Sequence, residues 1–397
     1  MAATTAFDPI VITGTARTPM GGFQGDLASV SAPELGAAAI RAAVQRSKLT
    51  ANDIGEVIMG CVLPAGQGQA PARQASLGAG LPQAAGCTTV NKMCGSGLKA
   101  VMMAHDQILS GHTDIMVAGG MESMTNAPYL LPKARGGYRM GHGQVMDSMF
   151  LDGLEDAYDK GKLMGVFAEL CAREYQFTRQ KQDEFALESL KRAQAAIKDG
   201  SFAGEIVPIT LKGKEPKDIT IDEQPGKAKP EKIPTLKPAF APDGTVTAAN
   251  ASSISDGAAA VTLMKRSEAE KRGIKPLAII VGHSTHAQDP AWFTTAPVEA
   301  LNILSKRTGW DFKDIDLFEI NEAFAVVTMA AMQSLDLPRD KVNVHGGACA
   351  LGHPIGASGA RVLVTLLAAL EKYGLKRGMA TLCIGGGEAV ALAVERL

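Results

Sequence analysis

Long apolar runs are scarce in this 397-residue chain, and none reaches the length of a membrane-spanning helix. A helical membrane protein is therefore excluded. Charge of one sign is missing too. The formal net charge is -1, so no global field recruits nucleic acid or an anionic membrane. Aromatics make up only 5%. The six cysteines form no C-x-x-C pair and no Cys/His zinc spacing, so neither a disulfide framework nor a zinc ribbon is expected. No G-x-x-x-x-G-K-[ST] phosphate loop occurs. The first seven residues carry neither a basic stretch nor an apolar signal core, which points to a cytoplasmic protein with free thiols. What remains is abundant: 46% hydrophobic residues and 43 glycines, the composition of a tightly packed globular chain.

The chain reads as one unit built twice. Short apolar runs at 10–12, 56–59, 88–90 and 114–118 predict strands, and residues 98–109 predict a helix. The same order returns at 277–281, 314–320, 342–343 and 381–384, with a predicted helix at 360–370. Val90-Asn91 is echoed by Val342-Asn343, and Gly119-Gly120 by Gly385-Gly386-Gly387. Such self-similarity implies two stacked α/β copies. Between them lie Gly-rich loops, an amphipathic stretch at 178–198 and a Lys-rich segment with Lys212, Lys227, Lys229 and Lys232. The expected division is 1–123 with 247–274 as one half, 124–246 as an inserted domain, and 275–397 as the other half.

Cys94 follows an apolar strand and opens a helix inside Asn91-Lys92-Met93-Cys94-Gly95-Ser96-Gly97. A helix N-terminus lowers a thiol pKa and favours a nucleophile. Gly95-Ser96-Gly97-Leu98-Lys99-Ala100 also fits a dinucleotide-binding pattern, with Asp114 beyond it. That reading ranks lower: Asp114 opens a strand where the ribose-binding acid should close one, and Cys94 occupies the space a pyrophosphate needs. His353 sits between Gly352 and Pro354, a rigid turn that aims the imidazole as a base or an oxyanion donor. Cys383 precedes the Gly385-Gly386-Gly387 run, whose amides are free to face an anion. Taken alone, Cys383 reads as core packing at a strand end. Asn321, in Asn321-Glu322-Ala323-Phe324, follows a strand and can hold a water or a carbonyl; alone it reads as a turn cap.

Together these four segments resemble the thiolase family, and the resemblance runs from end to end, including 66–73 and Asn250-Ala251-Ser252. It implies a five-layered αβαβα fold with an inserted loop domain, assembled as a homodimer or homotetramer. It implies a reversible Claisen condensation between two acyl-CoA molecules, giving a 3-ketoacyl-CoA and CoA through an acyl-Cys94 intermediate. Short-chain acetoacetyl-CoA is the expected substrate, with broader chain length left open. By the same resemblance, Cys383 exchanges the proton of the α-carbon or the CoA thiol, and His353 activates Cys94. His353 and an Asn321-held water stabilise the enolate. The amides of Cys94 and Gly385 form a second oxyanion hole. CoA is a substrate and product, no further cofactor or metal is implied, and its expected contacts are Met164, Phe240, Ala248, Ser252 and Phe324.

The chain departs from the family pattern at Leu163, where short-chain members carry His, at Gly226, where an Arg is common, and at Glu388 after the last glycines. A decarboxylating ketoacyl synthase would lack the second reactive cysteine, and a nicotinamide oxidoreductase would need the dinucleotide loop rejected above.

Overall fold

The computed structural model describes residues 8–397. In the first half, β1 (Ile10–Arg17) leads to α1 (Ala32–Arg46), β2 (Glu56–Gly60), α2 (Pro71–Gly78), β3 (Gly86–Val90), α3 (Ser96–Leu109) and β4 (Ile115–Ser123). An inserted stretch contributes α4 (Met164–Glu174) and α5 (Arg179–Lys198) before the chain returns as β5 (Ser255–Lys265). The second half runs β6 (Ala278–Ala287), α6 (Ala296–Thr308), β7 (Leu317–Ile320), α7 (Ala325–Leu335), α8 (Ile355–Lys372), β8 (Arg377–Ile384) and β9 (Glu388–Arg396).

The strands lie in the order β7-β8-β9-β6-β1-β5-β4-β2-β3. Reading outward from the middle, β1-β5-β4-β2 and β6-β9-β8-β7 are equivalent. In both, the first two pairings are antiparallel and the third is parallel. Even β3, parallel to β2, has its counterpart in a single parallel bridge between Phe318 and Val342. The two half-sheets join through two residue pairs, Val11 with Ile279 and Ile12 with Ala278.

Side-chain alternation then sets the layers. Ile10 and Ile12, Met116 and Ala118, Ala259 and Val261, and Leu392 and Val394 all face one buried cluster, filled by α3 and α8. Val11, Val117, Ala258 and Ala260 face the opposite way, against α1 and α2. In the second half Ala389, Ala391 and Ala393 face α6 and Trp310. The result is α–β–α–β–α, with α3 and α8 as the shared middle layer. These helices cross where neither has a side chain. A Cβ on Gly97 would lie 2.7 Å from the Ala360 nitrogen, and one on Gly359 would lie 2.3 Å from the Leu98 nitrogen.

Local signals explain several boundaries. Ser31 and Glu34 form a reciprocal capping box at the start of α1. The Thr178 hydroxyl accepts from the Lys181 N–H at 3.2 Å, which fixes the start of α5 where the sequence places it. Other boundaries differ from expectation. α3 starts at Ser96, and α8 extends over 355–372 because its glycines serve the helix crossing. Neither β5 nor β9 is predicted. Both are buried on two faces and Ala-rich, so they lack the polar alternation that marks a strand.

The inserted stretch is tied to β1 by charge. Arg17 is fully buried and donates to Glu205 at 2.5 Å and to both oxygens of Asp222 at 2.7 and 2.8 Å.

Candidate active site

The turn after β3 presents Cys94. Met93 adopts a left-handed conformation, φ 46°, which a residue with a side chain rarely takes. Small hydrogen bonds hold it there. Met93 N–H donates to Asn91 Oδ1 at 3.0 Å, Lys92 N–H donates to Ser96 Oγ at 2.8 Å, and Ser96 Oγ donates back to the Met93 carbonyl at 2.6 Å. Cys94 is thereby placed just before α3, half-buried beside Ile355.

The helix crossing brings the second loop to the first. Gly352, at φ 99°, turns the chain, and the His353 N–H donates to the Ser253 carbonyl at 3.1 Å. Ser358 Oγ donates to the Pro354 carbonyl at 3.0 Å, so it accepts from His353 Nδ1 at 2.5 Å. This bond selects the tautomer: Nδ1 carries the proton and Nε2 keeps its lone pair. Asn321 Nδ2 lies 3.4 Å from that Nε2. Burial, helped by the Arg361 charge, pushes the imidazole down to about 3, so it rests neutral.

Asn321 exits β7, its N–H donating to the Thr381 carbonyl of β8 at 3.0 Å. Its Oδ1 is buried and has no hydrogen-bond partner. A buried acceptor of this kind is costly unless a water or ligand meets it.

Cys383 stands near the end of β8 and is completely buried. The Gly95 position lies against the next residue, since a Cβ there would meet Ile384 Cδ1 at 2.5 Å. The Gly385 and Cys94 amides face the Cys94 sulfur closely enough to favour its thiolate. Cys94 and Cys383 are close enough that each thiolate would repel the other, which adds to the burial that raises Cys383 well above the thiol range.

One expectation is overturned here. The helix N-terminus was expected to depress the Cys94 pKa. Burial instead pushes the thiol up to about 11, against the pull of the Gly385 and Cys94 amides. Cys94 therefore rests as a thiol and needs a base.

The expected CoA contacts divide into two groups. Met164, Phe240 and Phe324 pack with Cys383 in one apolar cluster, with Phe240 and Phe324 edge to face at 6.0 Å. Met164 flanks the terminal glycines, its sulfur 3.4 Å from where a Gly385 Cβ would stand. Ser252 joins the same wall, its N–H donating to the Ala323 carbonyl at 2.9 Å. Ala248 lies elsewhere. It is exposed and lines a cavity of about 310 Å³ with Lys227, Lys229, Lys232 and Ser253. Lys227 is already paired with Glu223. A Cβ at Gly226 would meet nothing within 4 Å.

Three contributors escaped the sequence reading. Ser358, which sets the His353 tautomer, lies inside a Gly-rich run that gives no sign of a partner. Glu122 sits at the exit of β4 and accepts from the Val62, Leu63 and Gly356 amides at 2.9, 3.1 and 2.8 Å. It buckles the wall beside Cys94 to the first turn after His353, and burial raises its carboxyl to about 7. Lys92 and Glu388 form an ion pair. The only signal for it was opposite charge close to the two cysteine-bearing strand exits.

A thiol beside two amides, a second buried thiol and a neutral imidazole whose unprotonated Nε2 meets only a long contact from Asn321 Nδ2 make the equipment of an acyl-transferring enzyme. The chain belongs to the thiolase family: the thiolase N-terminal domain matches residues 10–267 and the thiolase C-terminal domain matches residues 274–396. It is similar along its length to proteins called acetyl-CoA acetyltransferase. The one from Chromobacterium violaceum is 49% identical over 390 residues, covering 98% of this chain and 99% of that protein. The one from Cupriavidus necator is 49% identical over 391 residues, covering 98% and 99%. Acetyl-CoA acetyltransferase 2 of Arabidopsis thaliana is 50% identical over 393 residues, covering 98% and 97%. The chain is thus a thiolase, an acyltransferase that makes and breaks the carbon–carbon bond of 3-ketoacyl-CoA. No helix among the described residues is long and apolar enough to cross a membrane.

Proposed function

We propose that this enzyme condenses two acetyl-CoA molecules to acetoacetyl-CoA and CoA, and runs the reverse thiolysis, with Cys94, His353, Cys383, Asn321 and Gly385 as its catalytic set. The sulfur of Cys94 attacks the first thioester while its proton passes to His353 Nε2. The oxyanion forms beside the Cys94 and Gly385 amides. Cys383 gives its proton to the departing CoA sulfur. The resulting Cys383 thiolate takes the α-proton of the second acetyl-CoA. His353 Nε2–H and a water on Asn321 Oδ1 hold the enolate oxygen. The enolate carbon attacks acetyl-Cys94, and the released sulfur recovers its proton from His353. Cys94, His353 and Cys383 each end the cycle in their starting protonation state, and the net proton transfer is from the α-carbon of the second acetyl-CoA to the sulfur of the released CoA, so the cycle needs no outside acid or base.

One observation carries this reading: the turn bearing Cys94 packs directly against the end of β8, where a Cβ on Gly95 would lie 2.5 Å from Cδ1 of Ile384, the residue after Cys383. The stranded Asn321 Oδ1 supports the water. The names of the relatives support the short chain length.

CoA itself is substrate and product rather than a resident cofactor. Its thioester end is assigned to the wall of Met164, Phe240, Ser252 and Phe324, and its remaining length to the cavity beside Ala248. Lys229 and Lys232 are the candidates for its phosphates. The halves 1–123 with 247–274 and 275–397, the insert 124–246, assembly into a dimer or tetramer, and a cytoplasmic setting belong to the same proposal.

The test is a rate profile over 3-ketoacyl-CoA lengths for the wild type and Leu163→His. Acetoacetyl-CoA is expected to rank first in both, with a sharper preference in the variant. A wild-type optimum at long chains would overturn the short-chain assignment.

A further inference from the structure

Near the C-terminal end of α3, the end away from Cys94, three side chains from the two halves converge. His105 and Asp106 lie in the last turns of α3, and His283 lies on β6. Asp106 Oδ1 is 2.9 Å from His105 Nδ1 and 2.9 Å from His283 Nε2. All three donor atoms fall within 4.8 Å of one another, and the two imidazoles meet edge to face at 5.2 Å. The placing of His283 depends on an irregularity. Ala278 and Ile280 face the middle layer, so plain alternation would send position 283 to the outside. The register with β9 slips between Ile280 and Gly282, which pairs His283 with Leu392. Leu392 faces the middle layer, and so does His283. A bulge of this kind re-aims a side chain. Here it delivers an imidazole to a helix that already offers another imidazole and a carboxylate.

We propose that His105 Nδ1, Asp106 Oδ1 and His283 Nε2 form a binding site for a borderline divalent cation such as zinc, separate from the acyl-transfer centre. Two imidazoles and one carboxylate are a donor set such ions favour. Zinc bound at about 2.0–2.2 Å places its ligands about 3.3 Å apart, so the trio needs only small side-chain movements to close on an ion. Binding shifts the proton of each imidazole from the nitrogen now directed at Asp106 to its other ring nitrogen, which leaves the ligating nitrogen its lone pair. Water completes the shell on the open side, because the Asp106 side chain is 58% exposed. The ion would staple α3, the helix that Cys94 precedes, to a strand of the other half. No sequence spacing announces the site, since 177 positions separate Asp106 from His283.

Cobalt titration of the full-length, chelator-stripped protein tests this. The wild type is expected to bind one equivalent, with weak visible bands of a nitrogen–oxygen site and no intense thiolate-to-cobalt band in the near ultraviolet. Loss of a supporting partner around a metal typically costs about 10–100-fold in affinity. His283→Gln and Asp106→Asn, which remove direct ligands, should each weaken binding by at least roughly 100-fold with acyl transfer unchanged. A second readout needs no variant: zinc should protect His105 and His283 from diethyl pyrocarbonate in peptide mapping of the wild type. Absence of binding, wild-type affinity in both variants, or a strong thiolate band locating the ion on the cysteines would each overturn the proposal.

Discussion

Lys92, two residues before Cys94, forms an ion pair with Glu388, five residues after Cys383. The two strand exits that carry the reactive thiols are thus pinned to each other. The pair is about a quarter to a third exposed, so its worth to global stability is small, about 0.2–1 kcal/mol. Its effect on alignment should be larger, because a displacement of about 1 Å between reacting groups can cost up to roughly 100-fold. Glu388→Ala is expected to lower kcat clearly with little change in Tm, and Lys92→Glu with Glu388→Lys to recover part of the loss. Unchanged kcat in Glu388→Ala would show that the loops hold their places unaided.

Asn321 Oδ1 offers a sharper test of the enolate site. Removing one preorganised donor to a developing oxyanion typically costs about 2.7–4 kcal/mol, or roughly 100- to 1000-fold in kcat. Asn321→Ala should slow condensation by that order while acylation of Cys94 by acetyl-CoA proceeds. If acylation falls as much as condensation, Asn321 serves the nucleophile and not the enolate.

The raised Cys94 pKa predicts a pH dependence. A thiol near 11 is almost wholly protonated at neutral pH, and its thiolate fraction grows roughly tenfold per unit until pH approaches that value. Alkylation of Cys94 by iodoacetamide in the CoA-free enzyme should therefore climb steadily from pH 7 to pH 10. A plateau already below about pH 8.5, the free-thiol value, would mean that the helix and amides outweigh burial after all.

Arg17 fixes the inserted stretch to the core. Breaking a buried ion pair by removing one partner typically costs about 3–5 kcal/mol, because the remaining charges are left without compensation. Arg17→Met should lower stability by that order in urea unfolding. A loss under about 1 kcal/mol would show that Glu205 and Asp222 find other partners.

Much of this was legible in the chain, for reasons that can be named. Cys94 and Cys383 each stand near a strand end beside glycines, His353 stands in a Gly-rich turn before α8, and repetition of the pattern told which loops must meet. The helix at 178–198 was legible from its amphipathic pattern, and its start holds because the Thr178 hydroxyl caps it within one turn. The strands β5 and β9 were hidden because burial on both faces removes the alternation that reveals a strand. The start of α8 was hidden because Gly356 and Gly359 read as loop. Their real task is to let α8 pass within contact of α3 and β4. Glu122 and the Lys92–Glu388 pair act across long sequence separations, and local pattern carries no trace of such partners; Ser358 is only five residues from His353, but which way its hydroxyl points is decided by the turn and not by the sequence pattern. The Cys94 pKa was misjudged because a sequence displays the helix dipole but not the depth of burial.

The account stands or falls on which sulfur holds the acyl group and which moves the proton. Cys383→Ser should be incubated with acetyl-CoA, quenched in acid and mapped by peptide mass spectrometry. Loss of a positioned general base typically costs about 100- to 10,000-fold, so condensation should stall and the acetyl group should be found on the peptide bearing Cys94. An acetyl group on any other residue, or an undiminished rate of acetoacetyl-CoA formation, would contradict it.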